Sequence, residues 1–128
     1  MREDYSVAIK ETSKELTAKE KIKLKDLSNS QNLDALTQEE GKVLINVDYY
    51  VILSIHNAKS VERPDYENIL IIDKDGNKYN TGSGSFIAAF TDIFEELADA
   101  GETECQIEVY RKESKNYKGK EFITCSIV

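Results

Sequence analysis

The sequence predicts a mainly β domain with one helix: a five-stranded barrel in the order β-β-β-α-β-β, preceded by an N-terminal arm or short helix. Three observations predict it. From Val43 to Ile55 every odd position is apolar, the mark of a long strand with one buried face. Between Phe86 and Leu97 the spacing of apolar residues changes from two to the three or four of a helix. The segment from Thr103 to the end reads as a strand, a lysine-rich turn and a closing strand.

The elements follow in order. Residues 1–41 are polar, rich in Lys and Glu, and without a sustained apolar pattern, which predicts an arm or short helical element packed on a domain formed by residues 42–128. Thr17-Ala18-Lys19-Glu20 has the chemistry of a capping box, so a helix can start there. Against that, Lys21-Ile22-Lys23-Leu24-Lys25 alternates with period two, as an edge strand would, and the two readings stay open.

The first long strand places Val43, Ile45, Val47, Tyr49, Val51, Leu53 and Ile55 on its buried face. Asn46, Asp48, Tyr50, Ser54 and His56 fall on its wetter face. A loop with the only proline, Pro64, separates it from a second strand, Asn68–Asp73. Asp73-Lys74-Asp75-Gly76-Asn77 is a tight turn into a third strand starting at Lys78, which makes a hairpin. Gly82-Ser83-Gly84-Ser85 then breaks the pattern. Phe86, Ile87, Phe90, Ile93, Phe94 and Leu97 form one apolar helical stripe, with Ser83 or Ser85 to cap its start and Gly101 to close its end. Two strands follow, roughly Glu104–Lys112 and Lys120–Val128. Three strands, a helix and two strands, with a long first strand, is the order of a five-stranded OB barrel.

Parity assigns faces to the terminal hairpin. Cys105, Ile107, Val109, Ile123, Cys125 and Ile127 point inward. Glu104, Gln106, Glu108, Tyr110 and Lys112 point out, as do Lys120, Phe122, Thr124 and Ser126. If Lys112 pairs with Lys120, Tyr110 lands opposite Phe122 and two rings sit side by side, bracketed by lysines. The chain carries a formal charge of −7, yet Val109–Lys120 holds five basic residues against the single Glu113. A cationic hairpin flanked by aromatics suits a polyanion: rings stack on bases and lysines neutralise phosphates. The same pattern also fits a stabilising cross-strand aromatic pair. Tyr50 and His56 extend the expected surface from the first strand, and Lys59, Lys78 and Tyr79 lie in or beside loops that could line a groove.

Other chemistry finds little support. The 128 residues make one domain's length, and 32% charged against 40% hydrophobic residues fit a globular chain. The N-terminal sequence lacks the apolar stretch of a secretory leader, and no apolar run approaches the ~20 residues that cross a bilayer, so a cytoplasmic, membrane-free protein is expected. Cys105 and Cys125 have no C-x-x-C spacing and read as reduced, buried thiols. With His56 the one histidine, no metal set and no nucleophile with an evident base stand out, so neither a catalytic residue nor a cofactor is expected. The Gly82–Ser85 run lacks the third glycine of a dinucleotide fingerprint. The glycine of Asp73–Asn77 is at the fourth position, where a calcium loop needs it at the sixth.

Four stretches resemble small single-stranded-DNA-binding proteins carried by phages and mobile elements of Gram-positive bacteria: ETSKELTAKEKIKLKD from Glu11, SIHNAKS from Ser54, IIDKDGNKYNTGSGSF from Ile71 and SKNYKGKEFITCSIV from Ser114. The resemblance spans most of the chain. It implies an OB-fold protein that coats single-stranded DNA during replication or recombination in the bacterial host cytoplasm, without catalysis. The positions it would use are Tyr110, Lys112, Lys115, Tyr117, Lys118, Lys120 and Phe122. Housekeeping bacterial proteins of this function end in an acidic tail that recruits partners; this chain ends at Ser126-Ile127-Val128, so recruitment through such a tail is not expected. Replication or recombination proteins as partners, and a homo-oligomer, are left open. The rival expectation is an acidic phage-type module that binds and regulates a host protein, motivated by the −7 charge.

Overall fold

The computed structural model describes residues 5–24, 30–57, 65–102, 104–113 and 120–128. Among these residues seven strands and three helices run in the order β1 (Tyr5–Thr12), α1 (Ala18–Leu24), β2 (Gln31–Asn32), α2 (Leu33–Glu40), β3 (Lys42–Asn57), β4 (Asp65–Asp73), β5 (Lys78–Thr81), α3 (Gly84–Asp99), β6 (Gln106–Glu113) and β7 (Glu121–Ile127). The five strands and the helix expected after residue 42 are present in the expected order. The sheet is larger than expected, because the N-terminal third adds two strands and two helices.

The strands make one curled half-barrel, ordered β2-β5-β4-β3-β6-β7, with β1 added on β3. Its centre is β3, whose 16 residues are too many for one partner along each edge. Val47 to His56 pair with β4, Lys42 to Asn46 with β6, and Val51 to Asn57 with β1. Among the described residues the two ends of the order, β2 and β7, are not paired with each other, so the strand order there does not close into a ring. This architecture is compatible with a β-barrel of the expected kind without reproducing its five-strand closure.

One residue departs from the expected parity and changes the fold. The β3–β4 register shifts between Val47 and Tyr49, which leaves Asp48 as the extra residue of a bulge. Before it, Ile45 and Val47 face a first core; after it, Tyr50 and Ile52 do. The odd residues Tyr49, Val51, Leu53 and Ile55 therefore turn to a second core on the opposite face. The expectation that one parity stays buried along all of β3 fails at Asp48.

The first core is filled by α3. Ser83 caps it, accepting from the Phe86 amide, and Gly101 takes φ +78° just past its end. Phe86 and Phe90 stack at 5.9 Å and are fully buried, and the Tyr50 ring meets Phe90 and Phe94 edge-on at 5.3 and 5.0 Å. The second core is covered by the N-terminal third: Val7 and Ile9 of β1, Leu16, and Leu24 of α1. The capping box forms, with the Thr17 amide donating to Glu20 Oε1 and the Glu20 amide to Thr17 Oγ1, which settles this segment as a helix.

α2 brings Leu33 into the first core and ties two strands together. Arg111 donates from Nε to Thr37 Oγ1 at 3.1 Å and from Nη2 to the Asp34 carbonyl at 2.8 Å, and Thr81 Oγ1 donates to Asp34 Oδ2 at 2.9 Å. The β4–β5 turn is organised by Asp73, whose carboxylate accepts from the Asp75 and Asn77 amides. Gly76, at φ +89°, takes the left-handed position there.

Cys105 and Cys125 are free, buried thiols of the first core. Burial, and then the neighbouring Cys105, push the Cys125 thiol up to about 12 from its ordinary 9.0. A raised thiol is stabilising while both states are protonated, and that contribution drains away as pH climbs through the folded value. Stability is therefore expected to decline between pH 9 and about 12. In urea titrations across that range, Cys125→Ala should show a shallower decline than wild type. An identical slope would remove Cys125 from the account.

Candidate nucleic-acid interface

The half of β3 that precedes the bulge pairs with β6, and β6 with β7, giving a three-stranded face that points away from the first core. The registers place its side chains in rows. Lys112 is opposite Phe122; Lys42, Tyr110 and Thr124 form the next row; then Leu44, Glu108 and Ser126; then Asn46 and Gln106, beside Val128, whose amide donates to the Gln106 carbonyl. Their partners on the other face, Ile45, Ile107, Val109, Ile123 and Cys125, are buried. The in-and-out parity of the hairpin is as expected, except that Ile127 is 49% exposed at the strand end.

The expected register is off by two residues. Lys112 pairs with Phe122 rather than Lys120, and Tyr110 is opposite Thr124 rather than Phe122. The two rings share the face as diagonal neighbours. The Tyr110 hydroxyl lies 2.7 Å from Ser126 Oγ, which directs its ring along the hairpin, away from Phe122. Both rings are half-buried, so each keeps surface open to solvent.

Charge on this face is mixed. Lys42, Lys112 and Lys120 contribute positive charge and Glu108 opposes it, whereas Glu113 and Glu121 share the parity of Arg111 and Ile123 and fall on the other face. Lys42 pairs with Glu108, whose hydrogen bond and charge raise the lysine above its ordinary range. Glu113 and Glu121 are opposite each other where the hairpin opens. Lys112 forms no ion pair among the described residues.

Several expected positions are elsewhere. Tyr50 is 5% exposed, with its hydroxyl donating to Glu11 Oε2 at 2.9 Å, because the Asp48 bulge turns it into the core. Burial and the Glu11 carboxylate together hold its hydroxyl protonated well above the usual tyrosine range. His56 sits at the far end of β3 from Lys42, up to about 50 Å of extended chain away. Its Nδ1 lies 2.6 Å from Asp65 Oδ1. Tyr79 packs against the first core, and Lys78 lies on β5, which does not touch this face. Lys59, Lys115, Tyr117 and Lys118 lie outside the described residues.

Two members of the face had a signal that parity reasoning passed over. Leu44 is apolar at an even position of β3, and it is 59% exposed. Lys42, the first residue of the same strand, stands opposite Tyr110. Among the described residues no group of three or more His, Cys, Asp or Glu could hold a metal ion. A small cavity of about 50 Å³ beside Val47, Phe94, Leu97 and Cys105 has room for water rather than for a cofactor. No described helix is long and apolar enough to cross a membrane. No protein-family model, curated protein or solved structure matches the chain.

The two tyrosines should separate in a stability measurement. Tyr50→Ala is expected to cost about 3–5 kcal/mol, as loss of a core aromatic does. Tyr110→Ala should cost about 1 kcal/mol or less, the worth of a cross-strand contact. Equal losses in urea unfolding would contradict the assignment of one ring to the core and the other to the surface.

Proposed function

We propose that the chain is a non-catalytic single-stranded-DNA-binding protein that holds DNA on the outer face of β3, β6 and β7. The observation that carries this reading is an outward face that, among the described residues, bears two half-exposed rings, Tyr110 and Phe122, with Lys42, Lys112 and Lys120 around them. Bases stack on such rings for about 1–3 kcal/mol each with little sequence preference. Lysines neutralise phosphates, with release of counterions. The order β3-β4-β5-α3-β6-β7, with β3 between β4 and β6, supports an OB-fold as the scaffold. The role that follows is coating exposed strands during replication or recombination of a phage or mobile element.

A second reading has its own support. Leu44 and Val128, 59% and 63% exposed, lie on the same face, and the chain carries −7 overall. Exposed apolar side chains among carboxylates suit a protein partner, which makes an acidic interaction module the alternative.

Anisotropy of a labelled oligo-dT of about 30 nucleotides, at two salt concentrations and with duplex competitor, decides between them. The single-strand reading expects salt-sensitive binding that duplex does not displace. Tyr110→Ala and Phe122→Ala should each weaken it about five- to a hundredfold. Lys112→Gln with Lys120→Gln should reduce the log–log salt slope by about 1.4, at about 0.7 per phosphate contact. No binding at low salt would leave the interaction module as the better reading.

A further inference from the structure

Among the described residues of the outer face of β3, β6 and β7, Glu108 is the one acid. It stands in the row of Leu44 and Ser126, next to the row of Tyr110, and its side chain is 27% exposed. Its carboxylate pairs diagonally across the strands with Lys42, which is opposite Tyr110 and 62% exposed. A lysine beside a stacking ring is where a phosphate contact belongs, and here that lysine is already taken.

The neighbours offer Glu108 no substitute. Leu44 flanks it on β3 without a polar group to give. Ser126 flanks it on β7, where the hydroxyl is engaged with that of Tyr110. Lys112 is four residues along β6, about 13 Å away in an extended strand. The two rows at this end, Leu44 with Glu108 and Ser126, and Asn46 with Gln106 and Val128, hold no cation of their own. Lys112 differs from Lys42: it is exposed and forms no ion pair among the described residues.

We propose that Glu108 is a built-in competitor for the DNA backbone: it withholds Lys42 from phosphate and so keeps single-strand binding weak and readily reversed. The proposal rests on the single-strand reading and deepens it. A phosphate can take Lys42 only by displacing Glu108, which exchanges one ion pair for another with little net gain. The displaced carboxylate, half-buried and without a second cation, is then left close to an incoming polyanion, and the like charges repel. Nor does Lys42 release a counterion from the DNA while its charge is matched within the protein. Phosphates are thereby kept towards Lys112 and Lys120, at the end of the face where the hairpin opens.

The test titrates labelled oligo-dT across a salt series with the full chain, with Glu108→Gln, and with Lys42→Gln/Glu108→Gln, which keeps the wild-type net charge. Each variant is first checked for a cooperative urea transition. Glu108→Gln should bind about three- to tenfold tighter at about 50 mM salt, with a log–log slope steeper by about 0.7, the mark of one added phosphate contact. Its complex, chased with unlabelled oligo-dT, should dissociate more slowly by a similar factor. The double variant should return to the wild-type slope, because Lys42 is the contact that loss of Glu108 releases. Glu108→Thr, which suits a strand, should behave as Glu108→Gln does. Three outcomes overturn the proposal and leave the single-strand reading standing: a wild-type slope and affinity in Glu108→Gln, a double variant as steep as Glu108→Gln, or a double variant shallower than wild type. The second would make Glu108 a general repeller of DNA, and the third would make Lys42 a phosphate contact already. Failure of both wild type and Glu108→Gln to bind oligo-dT overturns the single-strand reading and this proposal with it.

Discussion

The fold turns on one extra residue in its longest strand. A 16-residue strand with strict alternation could bury only one face, and everything packed on it would have to lie on that side. The bulge at Asp48 exchanges the faces half-way. Ile45 and Val47 before it, and Tyr50 and Ile52 after it, then serve the core that α3 fills, while Tyr49, Val51, Leu53 and Ile55 supply a second core on the other side. The bend that accompanies a bulge also lets β3 leave β6 and take up β4 and β1 along its length. Two cores on one strand follow from a single insertion.

The distribution of covered and open surface follows from the same point. Beyond the bulge both faces of β3 are buried as far as Leu53, and closing the second core requires the N-terminal third: Val7, Ile9, Leu16 and Leu24. Before the bulge only one face is buried. Lys42, Leu44 and Asn46 therefore stay exposed, and with β6 and β7 they form an uncovered face. An apolar Leu44 at 59% exposure within that face is the kind of side chain a bound ligand or partner would shelter.

What the sequence made legible, and what it did not, divides along the range of the interactions. The α3 stripe, the capping box at Thr17 and the turn at Asp73 depend on residues a few positions apart, and each is present with its expected chemistry. The parity of β6 and β7 is equally local. The register of that hairpin is not, because it depends on the conformation of a long turn, and a two-residue slip keeps every side chain on its expected face while changing its neighbour. The bulge was written in β3 as well: Leu44 and Ile52 are apolar at even positions, and strict alternation has no place for them. Tyr5, Val7 and Ile9 alternate as a short strand would, but three residues carry too little signal among the charged residues of the N-terminal third. Whether Tyr50 stacks on a base or on Phe90 could not be read from its own position. It depends on a shift two residues upstream.

Charge is arranged with the same polarity as the burial. The chain is acidic; Lys42, Lys112 and Lys120 stand at the β6–β7 face, and Lys19, Lys21 and Lys23 on α1, whose start lies beside Tyr49 in the middle of β3. Ions at physiological strength screen charges over roughly 8 Å, so each patch acts on what touches it, largely independent of the acidic body and of the other patch. A polyanion meeting the β6–β7 face would find half-exposed rings beside its lysines; one meeting α1 would find the exposed Ile22 instead. Similar charge therefore stands beside different neighbours, and of the two it is aromatic faces that favour bases. The body's negative charge would repel any polyanion at long range, which leaves close contacts, rather than long-range attraction, as the source of any selectivity.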